Sequence, residues 1–276
     1  MKDRLIDKPD ALHLPNQKPT VMDKERIKKL AQNPGLISGI YNYCDRWCER
    51  CAFTSRCMNF DMGKEFFPDQ ASHDARNEDF WEAMSRIFEV TMELLYDFAR
   101  EKGIDLDQAM DSVDMEEERK QRNSVDKNIC SILARKYAKM AGMWIEANES
   151  LLVCQNEQLK IPGVVSALDG FDARDTIEIV SWYQHLIYVK VNRALNGKIQ
   201  ASEDSLEDDE YDANGSAKVA LIGIEKSIAA WGLLQSLHGR DNSELQEILF
   251  YLQRLRIKIK NVFPGAQSFV RPGFDE

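Results

Sequence analysis

Apolar residues recur every three to four positions through long, separate stretches of this chain, with no sustained alternation of apolar and polar residues between them. That period belongs to helices with one apolar face and excludes a sheet of half-buried strands. The stretch 77–102 carries Phe80, Met84, Ile87, Phe88, Met92, Leu95, Phe98 and Ala99 at helical spacing and stops at Gly103, a residue suited to a left-handed helix cap. Between 124 and 153 the register runs through Val125, Ile129, Ile132, Leu133, Tyr137, Met140, Trp144, Ala147 and Leu151. The stretches 173–195 and 213–237 are apolar around more than one face, as befits helices deep in an assembly, and a last helix is expected over 243–261. The expected fold is therefore all-α, an antiparallel bundle of about five long helices with an N-terminal cysteine-rich segment packed on it.

Punctuation divides the chain further. Pro9, Pro15 and Pro19 make residues 1–20 an extended N-terminal arm, in which His13 reads as an exposed histidine. Residues 21–70 form the cysteine-rich segment, 71–262 the helical bundle and 263–276 an irregular aromatic tail. Pro162-Gly163 and Asp169-Gly170 bracket a loop, and the acids between Glu203 and Asp212 read as a mobile connection. Glu210-Tyr211-Asp212-Ala213-Asn214-Gly215 has the acids of a calcium loop's start. Its twelfth position is Leu221 where a bidentate Glu is needed, so calcium is rejected.

Four of the six cysteines crowd into Cys44-Asp45-Arg46-Trp47-Cys48-Glu49-Arg50-Cys51-Ala52-Phe53-Thr54-Ser55-Arg56-Cys57. The spacing C-x3-C-x2-C-x5-C offers four thiolates to one soft metal centre, an iron–sulfur cluster or zinc. Geometry sets a condition on this reading. In one continuous helix Cys44 and Cys51 would stand about 10 Å apart along the axis, whereas sulfurs around one zinc are roughly 4 Å apart. The chain must break near Cys48 to Cys51, or the centre must be bulkier than one ion. Only Cys48 with Cys51 makes the C-x2-C pair that zinc sites usually repeat, which favours a cluster over zinc. The first three cysteines have the spacing of the cluster loop in radical S-adenosylmethionine enzymes, but the strand–helix alternation of those enzymes is missing, so the match is one of spacing alone. Arg46, Arg50 and Arg56 would offset an anionic centre, and Tyr41, Tyr43, Trp47 and Phe53 would screen it. The competing reading makes Ile37, Ile40, Tyr41, Cys44, Cys48 and Cys51 an apolar helical stripe with inert thiols. Cys130 and Cys154, remote from the cluster, read as small buried residues.

Other candidates are weaker. Glu82, Glu89 and Glu93 fall opposite the apolar stripe of their helix and read as a solvated face. His185 lies on a narrow polar stripe with Glu178, Ser181 and Asn192. Lys218, Glu225 and Lys226 stand on a very apolar helix and call for charge partners, Lys190 or Arg193 among them. Phosphate loops, dinucleotide fingerprints, nucleophile elbows, zinc-protease motifs and the Glu-x-x-His pairs of di-iron bundles are all missing. The net charge of −10 argues against nucleic acid as a partner, and no apolar run is long enough to span a bilayer. The N-terminus lacks the apolar core of a secretory signal, so the expected location is the cytoplasm, where clustered cysteines are ligands or redox groups. Three functions compete: a metal-binding protein holding an iron–sulfur cluster or zinc through Cys44, Cys48, Cys51 and Cys57 for electron transfer, sensing or stabilisation; a metal-free helical scaffold for a protein partner; and an enzyme with a polar cavity near His185, Lys218 and Glu225.

Overall fold

The computed structural model describes residues 23–69, 71–111, 114–158, 173–201, 207–238 and 242–275. The expected N-terminal arm and the loop at 162–170 lie outside these. Among the described residues the regular structure is entirely helical: α1 (Lys24–Ala31), α2 (Met58–Phe66), α3 (Glu78–Lys102), α4 (Leu106–Asp111), α5 (Met115–Lys127), α6 (Ile129–Gln158), α7 (Ala173–Gln200), α8 (Glu207–His238) and α9 (Ser243–Val262). No helix among them is long and apolar enough to cross a membrane. The chain divides into two compact units, one drawn from Met1–Asn33 and Met58–Ile104, the other from Pro34–Cys57 and Asp105–Glu276.

The first unit is built on α3. Asp23 caps α1 by accepting from the Arg26 backbone N–H, and Lys24 and Lys28 reach across to Asp97 of α3 at 3.1 and 3.2 Å. Arg26 pairs with Glu65 of α2 at 2.9 Å. Helix α2 runs through Gly63 to Phe66. Gly103, at φ 68°, ends α3 in the left-handed conformation and gives its N–H to Ala99 and Arg100. The apolar face expected of 77–102 is only partly used: Val90 and Ala99 are buried, while Phe88, Met92, Leu95 and Phe98 are exposed. Val90 and Asp97 point to the side where α1 packs, and the aromatic stripe points elsewhere.

The second unit holds the large core. Tyr137, Ala141 and Trp144 of α6, Val180, Tyr183, Ile187 and Val191 of α7, Ala217, Ile224, Trp231 and Leu234 of α8, and Leu245, Ile248, Leu252, Leu255 and Ile259 of α9 are buried together. Trp231 packs edge-on to Trp144 at 5.1 Å and donates its indole N–H to the Tyr137 hydroxyl at 3.2 Å. Small residues on α8 let α7 approach closely: a side chain at Gly223 would meet the Tyr183 ring at 2.9 Å.

Several boundaries differ from the sequence reading for identifiable reasons. The expected helix from 124 is interrupted at Asn128, whose ψ of 138° leaves the helical region, and whose side chain accepts the N–H of Cys130. This cap resets the register, so that Ile129 and Ile132 are exposed while Cys130, Leu133 and Ala134 are buried. Burial pushes the Cys130 thiol up to about 11. The side chain of Cys154 lies outside the described residues. Helix α8 begins at Glu207, inside the stretch read as an acidic connection. Helix α9 begins at Ser243 as expected, and Asn242 caps it, accepting the N–H groups of Glu244 and Leu245.

Candidate functional site in the cysteine segment

Residues 34–57 do not form the continuous helix on which Cys44, Cys48 and Cys51 would share one apolar stripe. Three short 3-10 turns, Ile40–Asn42, Cys48–Arg50 and Thr54–Arg56, are separated by extended or left-handed residues. Arg46, between the first two cysteines, takes φ 59°, a conformation that costs a non-glycine residue energy. The Arg46 amide works against the rise of the Cys44 thiol, and the thiol itself donates to the Tyr41 carbonyl at 3.6 Å. The N–H of Phe53 donates to Cys51 Sγ at 3.4 Å. Amides directed at sulfur favour the thiolate over the thiol.

All four clustered cysteines are free and half-buried. Burial pushes the Cys48 thiol up, and Cys44, Cys57, Glu49 and Cys51 raise it further, so the other three thiols lie within electrostatic reach of it. Burial also raises Cys44, against the opposing pull of the Arg46 amide, Arg46 itself and Lys190. Among the described residues no group of three or more His, Cys, Asp or Glu side chains is gathered tightly enough to hold a metal ion.

Asp45 fastens this segment to the core. Its backbone carbonyl accepts the Trp182 indole N–H at 2.9 Å. Its carboxylate accepts the hydroxyl of the fully buried Tyr183 and faces Lys226 at 3.4 Å. Lys226 also donates to the Tyr183 hydroxyl at 2.8 Å. The Tyr183 proton is held far above the ordinary phenol range, by burial first and then by Asp45, which makes it a hydrogen-bond donor and a poor acid. Trp47 stacks on Trp182 at 5.0 Å, and Arg50 covers its other face at 4.0 Å while pairing with Asp175 at 2.6 Å and with Glu178.

Lys190 of α7 comes from below. It is 5% exposed and donates to the carbonyl of Asn42 at 3.1 Å. Burial lowers it to about 8, partly countered by Cys44. A buried ammonium facing a neutral carbonyl and a nearby thiol is costly until an anion stands beside it.

The C-terminal tail docks on the same region. Phe269 is buried against Tyr43 at 4.7 Å, and Phe274 meets Phe53 at 5.1 Å. Lys218 donates to the carbonyl of Phe269 at 2.5 Å and pairs with Asp275 at 3.0 Å. Gly215 makes room for this: a Cβ there would stand 2.4 Å from the Tyr43 ring and 2.7 Å from that of Phe269.

The residues proposed for an enzyme cavity do not converge. His185 and Glu225 are exposed and Lys218 is engaged by the tail. Arg193 pairs with Asp212 at 2.7 Å rather than with a residue on 218–226. A cavity of about 590 Å³ does open beside α7, lined by Tyr188, Asn192, Arg193, Asn196, Gln200 and Asp212 among others, and none of the three expected residues reaches it. Sequence reasoning missed Asp45, Trp182, Tyr183 and Gly215. Asp45 offered a signal, as a carboxylate held between cysteines, but its partners are more than a hundred residues away.

No family model, curated protein or solved structure matches this chain.

Proposed function

We propose that the protein binds a soft-metal centre, an iron–sulfur cluster in preference to zinc, through Cys44, Cys48, Cys51 and Cys57. The observation that carries this reading is a backbone amide directed at sulfur, Phe53 N–H to Cys51 Sγ at 3.4 Å, in a segment where the Arg46 amide also works against the rise of the Cys44 thiol. Inert thiols packed in a helix have no such donors, because helical amides are spent on carbonyls. The left-handed Arg46 points the same way, since local strain of this kind is retained where the surrounding structure requires it. Loading the centre draws the thiols together and releases their protons. Lys190 and Arg46 then face thiolates in place of thiols, which removes the penalty on the buried ammonium. On this reading the cysteine segment is a lid of 3-10 turns on an antiparallel helical bundle in a reducing, cytoplasmic setting. The centre serves electron transfer, sensing or stabilisation.

Anaerobic purification of the full chain tests it. The expected sample carries stoichiometric iron and sulfide with visible absorbance, or stoichiometric zinc without colour, and loses either when the four cysteines are replaced by serine. A sample with neither metal nor visible absorbance overturns the reading.

A metal-free interaction scaffold draws on a separate observation, the exposed apolar face of α3.

A further inference from the structure

The two halves of the cysteine segment are fastened differently. Residues 45–50 are bolted to α7: Asp45 accepts the Trp182 indole N–H and the Tyr183 hydroxyl, Trp47 stacks on Trp182, and Arg50 pairs with Asp175. Among the described residues no hydrogen bond or ion pair joins residues 51–57 to a long helix of the bundle. Those residues are closed into a loop instead. Ile37 gives its N–H to the Arg56 carbonyl at 2.9 Å, which ties the start of the segment to its end beside Cys57. Phe53, whose N–H faces Cys51 Sγ, turns its ring to Phe274 of the tail.

The end of that tail rests on the closure. Arg271 gives its backbone N–H to the Asp275 carboxylate at 3.0 Å and its guanidinium to the same group at 2.8 Å, and the N–H groups of Phe274 and Asp275 return to the Arg271 carbonyl at 3.1 and 3.2 Å. Residues 271–275 are thus a knob closed by its own hydrogen bonds. Gly273, at φ 74°, lets it lie flat on the loop, since a Cβ there would stand 2.8 Å from Ile37 Cδ1 and 3.2 Å from Ile40 Cδ1. Among the described residues the knob's polar tie to the bundle is the ion pair of Asp275 with Lys218 at 3.0 Å. Val270, 51% exposed, separates it from the buried Phe269. An element held to its neighbours by side chains alone, with its backbone bonds all internal, belongs to the low end of local stability.

We propose that residues 270–275 are a releasable strap over the closure of the cysteine segment, whose lifting opens Cys51 and Cys57 to solutes while Cys44 and Cys48 stay fixed on α7. The strap stands whether or not the thiols hold a metal. On the reading proposed above, this half of the segment is the side through which the metal enters and leaves.

Alkylation of the reduced, metal-stripped full chain with N-ethylmaleimide tests this without calling on a metal. Trypsin cuts after Arg46, Arg50 and Arg56, so mass spectrometry reads Cys44, Cys48, Cys51 and Cys57 on separate peptides. In the wild type Cys51 and Cys57 should react more slowly than free cysteine. Phe274→Ser should speed both by about tenfold and Asp275→Asn by about fivefold, with Cys44, Cys48 and the buried Cys130 unchanged. Gly273→Ala should act in the same direction by pushing on Ile37. An acceleration of the same size at Cys130 reports loosening of the whole fold and overturns the proposal. So do equal accelerations at all four clustered cysteines, unchanged rates in the three variants, or wild-type Cys51 and Cys57 that already react as fast as free cysteine.

Discussion

The two compact units solve the burial problem in opposite ways. In the unit containing α6 to α9, four long helices bury Trp231, Tyr137, Tyr183 and a row of aliphatic residues completely; Trp231 is paired with Tyr137, while the buried hydroxyls of Ser131 and Ser216 have no hydrogen-bond partner among the described residues. In the unit containing α1 to α3, the longest helix keeps its largest side chains in solvent and is tied to α1 mainly through Asp97 with Lys24 and Lys28. Ion pairs with exposed lysines contribute little to stability, typically about 0–1 kcal/mol, whereas a buried aromatic contributes several. A helix can thus be equally regular in both settings and yet bury its large side chains in one and leave them exposed in the other.

The contrast is open to attack by mutation. Trp231→Ala should have the largest effect, about 3–5 kcal/mol, because it empties the centre of the core and removes the donor to Tyr137. Chemical denaturation followed by tryptophan fluorescence reads it. A loss below about 1 kcal/mol would mean that the core is not the source of this unit's stability.

Gly215→Ala tests how tightly the cysteine segment is fitted to α8. The new methyl collides with the rings of Tyr43 and Phe269, so a cost of about 1–3 kcal/mol and faster proteolysis within residues 34–57 are expected. A neutral outcome would show that the segment can lift without cost, which would make it resemble the other unit.

The smallest effect concerns the tail. Arg271 holds the Asp275 carboxyl well below the usual carboxylate range, and Lys218 adds to this. Since the folded value lies below the unfolded one, the stabilisation is complete above the ordinary Asp value of about 3.9 and is lost as pH falls below it. Asp275→Asn should therefore cost about 1 kcal/mol at neutral pH and nothing further on acidification through that window. Melting curves of both proteins at neutral pH and near pH 3 compare the two directly; parallel acid losses would remove Asp275 from the account.

Helix positions were legible in the sequence because a 3.6-residue period is a local property, visible wherever an apolar face recurs. The stop at Gly103 was legible for the same reason, since a left-handed cap is a demand on one residue. The break at Asn128 was less so: Val125 to Leu151 reads as one register, and a single side chain accepting one amide moves it. The crowding of cysteines at 44–57 was plain from residue type and spacing, but the anchors of that segment were not. Asp45 finds Trp182, Tyr183 and Lys226, and Tyr43 finds a gap above Gly215, through contacts between segments far apart in the chain.

What the sequence determined by itself was which stretches are helical and that four cysteines fall within fourteen residues, since both follow from side-chain identity over a few turns. Only the tertiary structure decided which apolar faces are spent. The registers of α3 and α6 look alike as patterns, yet Phe88 is exposed and Trp144 is buried. The hydrophobic effect specifies that such faces leave water without naming the surface that covers them, and that surface is supplied by packing at long range.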